Sequence, residues 1–235
     1  MYLFCETKRP IFIGMKPSET SLPNYTRTQE KWNCYTHLAG VAFALIGGPF
    51  LIAKAFQSGD YFKIFSSIAF VVSLLILYSG SALYHGWKPN KTKRILRVFD
   101  HNNVFILIMG TYAPYCLSGI RPYSLPWAYS IFGLVITLGI VGIVLNSIDL
   151  EKFKVFSLVD YILMGWTVII SFTPLVKATG IASSMLLLAG GISYTIGAVL
   201  YVLGKKKSPW WHTVFHVFCL LGTSLMFFSI YFFII

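Results

Sequence analysis

The sequence predicts an all-α protein: a polytopic membrane protein built as a seven-transmembrane helical bundle, with a cytoplasmic N-terminus and an extracytoplasmic C-terminus. The first observation behind this prediction is composition. Hydrophobic residues make up 56% of the 235 residues and charged residues only 11%, and the mean hydropathy is +0.70. Because a soluble domain carries about 25% charged residues and a disordered chain has low hydrophobicity, both of these classes are excluded.

The second observation is a set of apolar stretches of membrane-crossing length. A spanning helix needs about 20 mostly apolar residues, whereas a strand of a membrane barrel alternates over about ten. Seven continuous stretches fit the helix, near residues 35–56, 64–86, 100–118, 125–146, 156–176, 182–203 and 210–235. The third is the least apolar and carries Pro114 near its far end. We therefore expect an N-terminal cytoplasmic tail over 1–31 and a seven-span domain over 32–235.

The third observation is the distribution of lysine and arginine, which favour cytoplasmic loops. With seven spans, one side collects fifteen of them: Lys8, Arg9, Lys16, Arg27, Lys31, Lys88, Lys91, Lys93, Arg94, Arg97, Lys152, Lys154, Lys205, Lys206 and Lys207. The other side has four: Lys54, Lys63, Arg121 and Lys177. This excess predicts a cytoplasmic N-terminus and, because the bases flank spans, it does not indicate a nucleic-acid partner. In the sixth span, Ala189, Ser193 and Gly197 predict a close-packing stripe.

Polar residues are concentrated at the cytoplasmic ends of the predicted spans. Ionisable groups within a bilayer are costly and usually functional. The span directions bring these residues to a common depth although they are far apart in sequence: His37, His85, Asp100, His101, Asp160, His212 and His216. The four cysteines, Cys5, Cys34, Cys116 and Cys219, show no regular spacing. They therefore indicate neither a disulfide framework nor a thiolate metal site.

His212 and His216 are four residues apart, so both imidazoles project from one face of a helix. Such a pair can bind one metal ion from adjacent turns, although a pair of water-facing interfacial histidines is an equal alternative. His85, at the same depth on another helix, would supply a third nitrogen. Three nitrogen ligands with an open fourth position are typical of catalytic zinc, while magnesium and calcium prefer oxygen ligands.

Ser81 lies one turn before His85, and Asp100 opens the next span. Asp100 could accept a hydrogen bond from a ligand imidazole, or from zinc-bound water as a general base. The alternatives are that Asp100 pairs with Arg97 or another interface base, and that Ser81 bonds back to its own helix. We expect His37 and His101 to lie in an outer shell or at the interface. Asp160, which has no evident partner, could face headgroup water.

The same residues resemble the hemolysin III family of bacterial membrane proteins. That family belongs to a seven-span superfamily with the adiponectin and progestin receptors, and alkaline ceramidases are distant relatives. The resemblance covers roughly residues 28–235. It rests on Glu30 with residues 33–37 (NCYTH), on 81–85 (SALYH), on Asp100-His101 with 110–114 (GTYAP), on 164–166 (MGW) and on 212–216 (HTVFH). Phe215 replaces a tryptophan that is usual in bacterial relatives.

The resemblance implies Zn²⁺ bound by His85, His212 and His216, with Asp100 near zinc-bound water and Ser81 close by. It also implies the same topology, in the bacterial plasma membrane. We therefore expect a zinc-dependent intramembrane hydrolase of an amide or ester in a membrane lipid or lipid-like substrate. Asp100 would take the proton of water, and Ser81 would bind the developing oxyanion. The alternatives are a pore-forming, membrane-perturbing hemolysin and a receptor-like signalling protein with structural zinc. The oligomeric state stays open.

Overall fold

A computed structural model describes residues 19–235, and every regular element in that range is helical. The six α-helices are α1 (Arg27–Gln57), α2 (Tyr61–Gly86), α3 (Lys91–Ala113), α4 (Leu125–Trp166), α5 (Phe172–Gly204) and α6 (Trp210–Phe233). A π-helix, Pro114–Ile120, extends α3, and a 3₁₀ helix, Thr167–Ser171, joins α4 to α5. The all-α prediction is therefore confirmed for the described residues.

Five helical stretches within 19–235 are long and apolar enough to cross a membrane, judged by length and composition. They are Arg27–Gln57, Tyr61–Gly86, Lys91–Ile120, Leu125–Gly204 and Trp210–Phe233. The fourth has 80 residues, which would measure about 120 Å if it were one straight helix. A bilayer core is only about 30 Å thick. This stretch must therefore change direction.

Two backbone breaks divide the long stretch. Asp149 has φ −160° and ψ 97°, outside the helical region, and its Oδ1 accepts a hydrogen bond from the Lys152 amide at 3.0 Å. It therefore caps the helical segment that follows. Gly180 has φ 84°, which only glycine adopts at little cost. Both breaks fall in the gaps between predicted spans: Asp149 lies within 147–155 and Gly180 within 177–181.

The first three helices begin earlier than the apolar stretches do. Thr26 and Gln29 form a capping box, so α1 begins at Arg27 rather than near residue 35. Asp60 caps α2, and Asn90 caps α3. Capping residues are polar because they accept hydrogen bonds from free amide groups, and hydropathy therefore does not detect them. The extra turns of α1 carry Glu30 and Asn33, which become part of the site described below.

Small residues on α5 allow α6 to pack closely. Gly190, Ser193 and Gly197 are buried, and the Ser193 hydroxyl donates a hydrogen bond to the Phe218 carbonyl at 2.8 Å. Ala189, which we predicted in this stripe, is exposed instead. The step of three from Gly190 to Ser193 and the step of four to Gly197 follow the 3.6-residue helical period better than two steps of four from Ala189. Gly190 therefore takes the place of Ala189.

The bundle has two chemically different ends. At one end, Lys63 donates a hydrogen bond to the Ile235 carbonyl at 3.3 Å, and the Arg121 guanidinium lies 3.6 Å from the centre of the Phe62 ring. Lys54 donates to the Tyr231 carbonyl at the same end. The opposite end is formed by the start of α1, the end of α2 and the starts of α3 and α6. All the histidines lie towards that second end.

Candidate metal centre

Three helices bring four histidines together: His37 from α1, His85 from α2, and His212 and His216 from α6. The Nε2 atom of His212 lies 3.4 Å from that of His85 and 3.1 Å from that of His216. The ring centre of His37 lies 4.1 Å from that of His216, and its ring stacks on His85 at 5.9 Å. The structure thus brings together the three residues predicted as ligands, with His37 in direct contact.

The spacing of these nitrogens fits a metal ion. In a tetrahedral site with Zn–N distances of about 2.0–2.1 Å, ligand nitrogens lie about 3.3–3.4 Å apart. Buried ligand atoms of His37, His85 and His216 lie within 4.8 Å of one another, and this group could hold a metal ion. Two sets of three ligands are therefore possible: His85 and His216 belong to both, and the third ligand is either His212 or His37. His37 is therefore closer to the centre than its predicted outer position suggested.

The second ring nitrogens of His85 and His216 have outer partners. His85 Nδ1 lies 2.7 Å from Glu30 Oε2, and His216 Nδ1 lies 3.2 Å from Thr36 Oγ1. The Thr36 hydroxyl donates to the Asn33 carbonyl at 2.8 Å, so its oxygen is free to accept from His216. Both contacts favour the tautomer with hydrogen on Nδ1, which leaves the Nε2 lone pair for a metal.

Glu30 also binds Lys93, a contact that the sequence analysis missed. Lys93 Nζ lies 2.7 Å from Glu30 Oε1, and the lysine is only 2% exposed. From the sequence, Lys93 indicates only topology, and Glu30 enters only through the family resemblance. One signal was present: Glu30, Asn33 and His37 are spaced i, i+3 and i+7, and therefore share one face of α1.

The structure gives Asp100 and Ser81 a direct contact, since the Ser81 hydroxyl donates a hydrogen bond to Asp100 Oδ1. Ser81 therefore does not bond back to its own helix. Arg97 pairs with Glu151 at 2.5 Å, which removes the alternative of an Arg97–Asp100 pair. The expected back-bond of Ser81 and the pair of Asp100 with Arg97 are thus wrong. Asp100 does have another base nearby, because its Oδ2 atom lies 3.9 Å from His101 Nδ1.

His101 and Asp160 lie outside the histidine cluster. The His101 Nδ1 atom is 2.9 Å from the Arg97 carbonyl of its own helix. Asp160 is only 2% exposed, and its Oδ2 atom has no hydrogen-bond partner among residues 19–235. The idea that Asp160 faces headgroup water is therefore wrong, because its side chain is packed between helices.

A segment before α1 passes over the histidine cluster, and we call residues 19–25 the strap. Arg94 donates to the Thr20 carbonyl at 3.0 Å, and Arg97 donates to the Ser21 carbonyl at 2.6 Å. At the end of the strap, the Tyr25 ring stacks on His212 with centres 5.3 Å apart. Burial raises the pKa of Tyr25 above its usual range. The phenol therefore stays protonated and covers His212 as a neutral ring.

An apolar cavity of about 170 Å³ lies among α3, α4, α5 and α6. Its wall contains aromatic side chains, including Tyr112, Trp166 and Phe215. No histidine of the cluster lines the cavity, but Phe215 does, and its ring centre lies 5.9 Å from that of the adjacent His216. On α3, its wall includes Val104, one turn beyond Asp100. A mostly apolar cavity with a few polar groups in its wall is typical of a small-molecule site.

Comparison with known proteins gives consistent matches over nearly the whole chain. The profile described as haemolysin-III related matches residues 25–227. A hemolysin-3 homolog of Bacillus subtilis (strain 168) is 35% identical over 209 residues, covering 89% of this chain and 96% of the relative. Hemolysin-3 of Bacillus cereus is 31% identical over 207 residues, covering 88% and 92%. The human monocyte to macrophage differentiation factor is 24% identical over 205 residues, covering 85% and 82%.

Proposed function

The chain belongs to the haemolysin-III related family, and from this premise we propose that it is a zinc-dependent intramembrane hydrolase of an amide or ester bond in a lipid-like substrate. One observation carries the proposal. The Nε2 atom of His212 lies 3.4 Å from that of His85 and 3.1 Å from that of His216, separations that suit tetrahedral zinc. Phe215, which precedes His216, lines an apolar cavity. Nitrogen donors favour zinc over magnesium or calcium.

His85, His212 and His216 are the ligands that we propose. Glu30 and Thr36 hold the Nδ1 sides of two of these rings, as outer partners of metal-binding histidines do. His37 then packs against the ligand rings of His85 and His216 as a neighbour. Its own Nδ1 atom has no hydrogen-bond partner within the described part of the chain.

Zinc held there would supply a Lewis acid that polarises a carbonyl group and lowers the pKa of water to about 7. Asp100 accepts the proton of the attacking water. Its Oδ1 atom is held by Ser81. Its Oδ2 atom, 3.9 Å from His101 Nδ1, is not tied by a hydrogen bond at that distance and is the oxygen that acts as the base. A hydroxyl group has one hydrogen to donate. Ser81 therefore orients Asp100 in this arrangement, and binding an oxyanion, the role expected from sequence, would require that hydroxyl to turn away.

The cavity supports a substrate with a substantial apolar part. Apolar side chains dominate its wall, which includes Val104, one turn from Asp100, and Phe215, next to His216. A substrate whose apolar part is buried there would therefore bring a polar bond towards Asp100. Burial of apolar surface contributes about 25 cal/mol per Å². The same wall argues against the lytic alternative, because a water-filled pore needs a polar lining.

We also propose seven spans, an N-terminus in the cytoplasm and a location in the cell membrane. The breaks at Asp149 and Gly180 would turn the 80-residue stretch into three crossings. Lys54, Lys63 and Arg121 share the end that holds Ile235. Most of the other basic residues that the structure describes lie in helix ends or loops at the histidine end. The positive-inside rule therefore supports a cytoplasmic histidine cluster.

Metal analysis paired with a hydrolysis screen tests the proposal. Purified protein should contain about one zinc per chain, as expected for one three-histidine site, and should hydrolyse at least one lipid amide or ester. The His212→Ala/His216→Ala double variant should lose both zinc and activity, and replacement of all four cysteines should retain both. Stoichiometric zinc in the double variant would refute the site. Zinc binding without hydrolysis of any lipid amide or ester would favour a structural zinc in a receptor-like protein.

A further inference from the structure

We infer that Glu30 and Lys93 form a positioning pair that fixes His85 for zinc binding, an inference that rests on the zinc site proposed above. Glu30 comes from α1 and His85 from the end of α2. Their contact, 2.7 Å between Oε2 and Nδ1, joins the two helices directly behind the metal centre. A carboxylate can only accept a hydrogen bond, so Nδ1 carries the hydrogen and Nε2 keeps its lone pair towards His212.

Lys93 fixes the other oxygen of the same carboxylate. An ammonium group has three hydrogens to donate, and Lys93 Nζ has three acceptors. They are Glu30 Oε1 at 2.7 Å, the Trp87 carbonyl at 3.1 Å and the His85 carbonyl at 3.4 Å. The two carbonyls belong to the end of α2, where a cation is favourable. Lys93 thus links Glu30 to the same turn that carries the His85 side chain.

This arrangement has a simpler alternative, in which Lys93 only caps α2 and Glu30 only neutralises it. Burying a lysine to this extent is costly unless it is paired, so both readings require the Glu30 contact. They differ in what the contact does. A cap supports the helix whether or not zinc is bound, whereas a positioning pair changes how strongly His85 binds zinc. In the second case Lys93 acts through Glu30 and not independently of it.

A double-mutant cycle on zinc affinity separates the two readings. The probe is zinc alone, added to metal-free full-length protein in competition with a chromophoric chelator. We expect Glu30→Gln to weaken zinc binding about 10–100-fold, the usual effect of removing an outer partner. Lys93→Met should weaken it in the same range, because the carboxylate loses its fixed position. The double variant should bind zinc no more weakly than the single variant with the lower zinc affinity. If the two residues acted independently, the fold-losses in zinc affinity would instead multiply.

Two further variants keep the result interpretable. Glu30→Asp retains the charge and the partner of Lys93 but shortens the side chain by one methylene, so it should fold and still lose zinc affinity. Asp60→Asn, at the opposite end of α2, removes a charge from a helix cap. It should lower the unfolding temperature and leave zinc affinity unchanged.

Wild-type zinc affinity in both Glu30→Gln and Lys93→Met would overturn the inference and leave the zinc site standing. Multiplying losses in the double variant would also overturn it, because Lys93 would then act independently of Glu30. A wild-type protein that binds no zinc would refute the proposed site, and the inference with it.

Discussion

The Ser81 hydroxyl on α2, one turn before His85, donates a hydrogen bond to Asp100 Oδ1 on α3. This contact ties the proposed base to the helix that carries a proposed zinc ligand. Asp100 is not paired with Arg97, which binds Glu151 instead. The other oxygen of Asp100, Oδ2, lies 3.9 Å from His101 Nδ1, which is longer than a hydrogen bond. It can therefore still accept a proton near the metal centre.

The choice of ligands can be tested by separate replacement of His37 and His212. We expect His212→Ala to reduce zinc affinity by more than the roughly 10–100-fold typical of an outer partner, because a direct ligand is lost. His37→Ala should retain about one zinc per chain, because all three proposed ligands remain. Its zinc affinity should therefore stay close to that of the wild type. Zinc content after gel filtration and chelator competition measure both effects.

His101→Ala is the matched control for these histidine variants, since His101 bonds to its own helix. It should bind zinc like the wild type. Loss of zinc in His37→Ala with retention in His212→Ala would instead assign the site to His37, His85 and His216.

The strap predicts restricted access to the metal. Stacked aromatic rings contribute about 0.5–1.5 kcal/mol, so removing the Tyr25 ring should speed zinc release to a chelator about 2- to 12-fold. Stopped-flow absorbance with a chromophoric chelator measures this rate. Tyr123→Ala, which removes an exposed tyrosine from the opposite end, should leave the rate unchanged. Equal rates for Tyr25→Ala and the wild type would show that the strap does not limit access.

Two adjacent glycines on α5 test the packing against α6. A Cβ atom at Gly190 would lie 2.9 Å from the Gly222 carbonyl oxygen, whereas one at Gly191 would have no atom within 4 Å. Gly190→Ala should therefore destabilise the protein by about 1–3 kcal/mol through overpacking. Gly191→Ala should be neutral or stabilise it by up to about 1 kcal/mol. Thermal unfolding in detergent gives both values, and an equal loss in the two variants would contradict this packing.

Topology can be tested with reporter fusions. A reporter after Ile235 should be active only outside the cytoplasm, and one inserted in the loop near Lys88 only inside it. Fusions within 147–155 and 177–181 should report opposite sides, because the proposed fifth span lies between them. The same side for both of these fusions would reduce the number of spans and refute the seven-span proposal.

The sequence predicted most of the helices because length and hydropathy determine which segments can cross a membrane. It missed the first turns of α1, where Thr26 and Gln29 begin the helix through hydrogen bonds and not through apolar character. The breaks at Asp149 and Gly180 fall between predicted spans because apolar runs end there. Their backbone angles could not be derived from hydropathy.

The candidate site was predictable in part. Helical spacing placed His212 and His216 on one face, and span direction brought His85 to the same depth. The contacts of Glu30 with His85 and Lys93 were not predictable, because they depend on how each helix is rotated about its axis. Hydropathy does not determine that rotation when most of a helix is apolar. The position of His37 was underestimated for the same reason.

In the proposed mechanism, Asp100 acts as a base beside a catalytic zinc. Asp100→Asn keeps the size of the side chain but cannot accept a proton. Asp160→Asn is the matched control, because it changes another buried aspartate outside the histidine cluster. Asp160→Asn should retain both zinc and activity, so that any loss in Asp100→Asn can be assigned to the site.

The most direct measurement is zinc content and hydrolysis rate in the same preparation of wild type and Asp100→Asn. We expect both proteins to carry equal zinc, and the variant to hydrolyse the lipid amide or ester about 10²–10⁴-fold more slowly, the usual range for loss of a general base. If the wild type hydrolyses no such substrate, and Asp100→Asn chiefly weakens zinc binding, by about 10–100-fold, then zinc is structural and the hydrolase account is wrong.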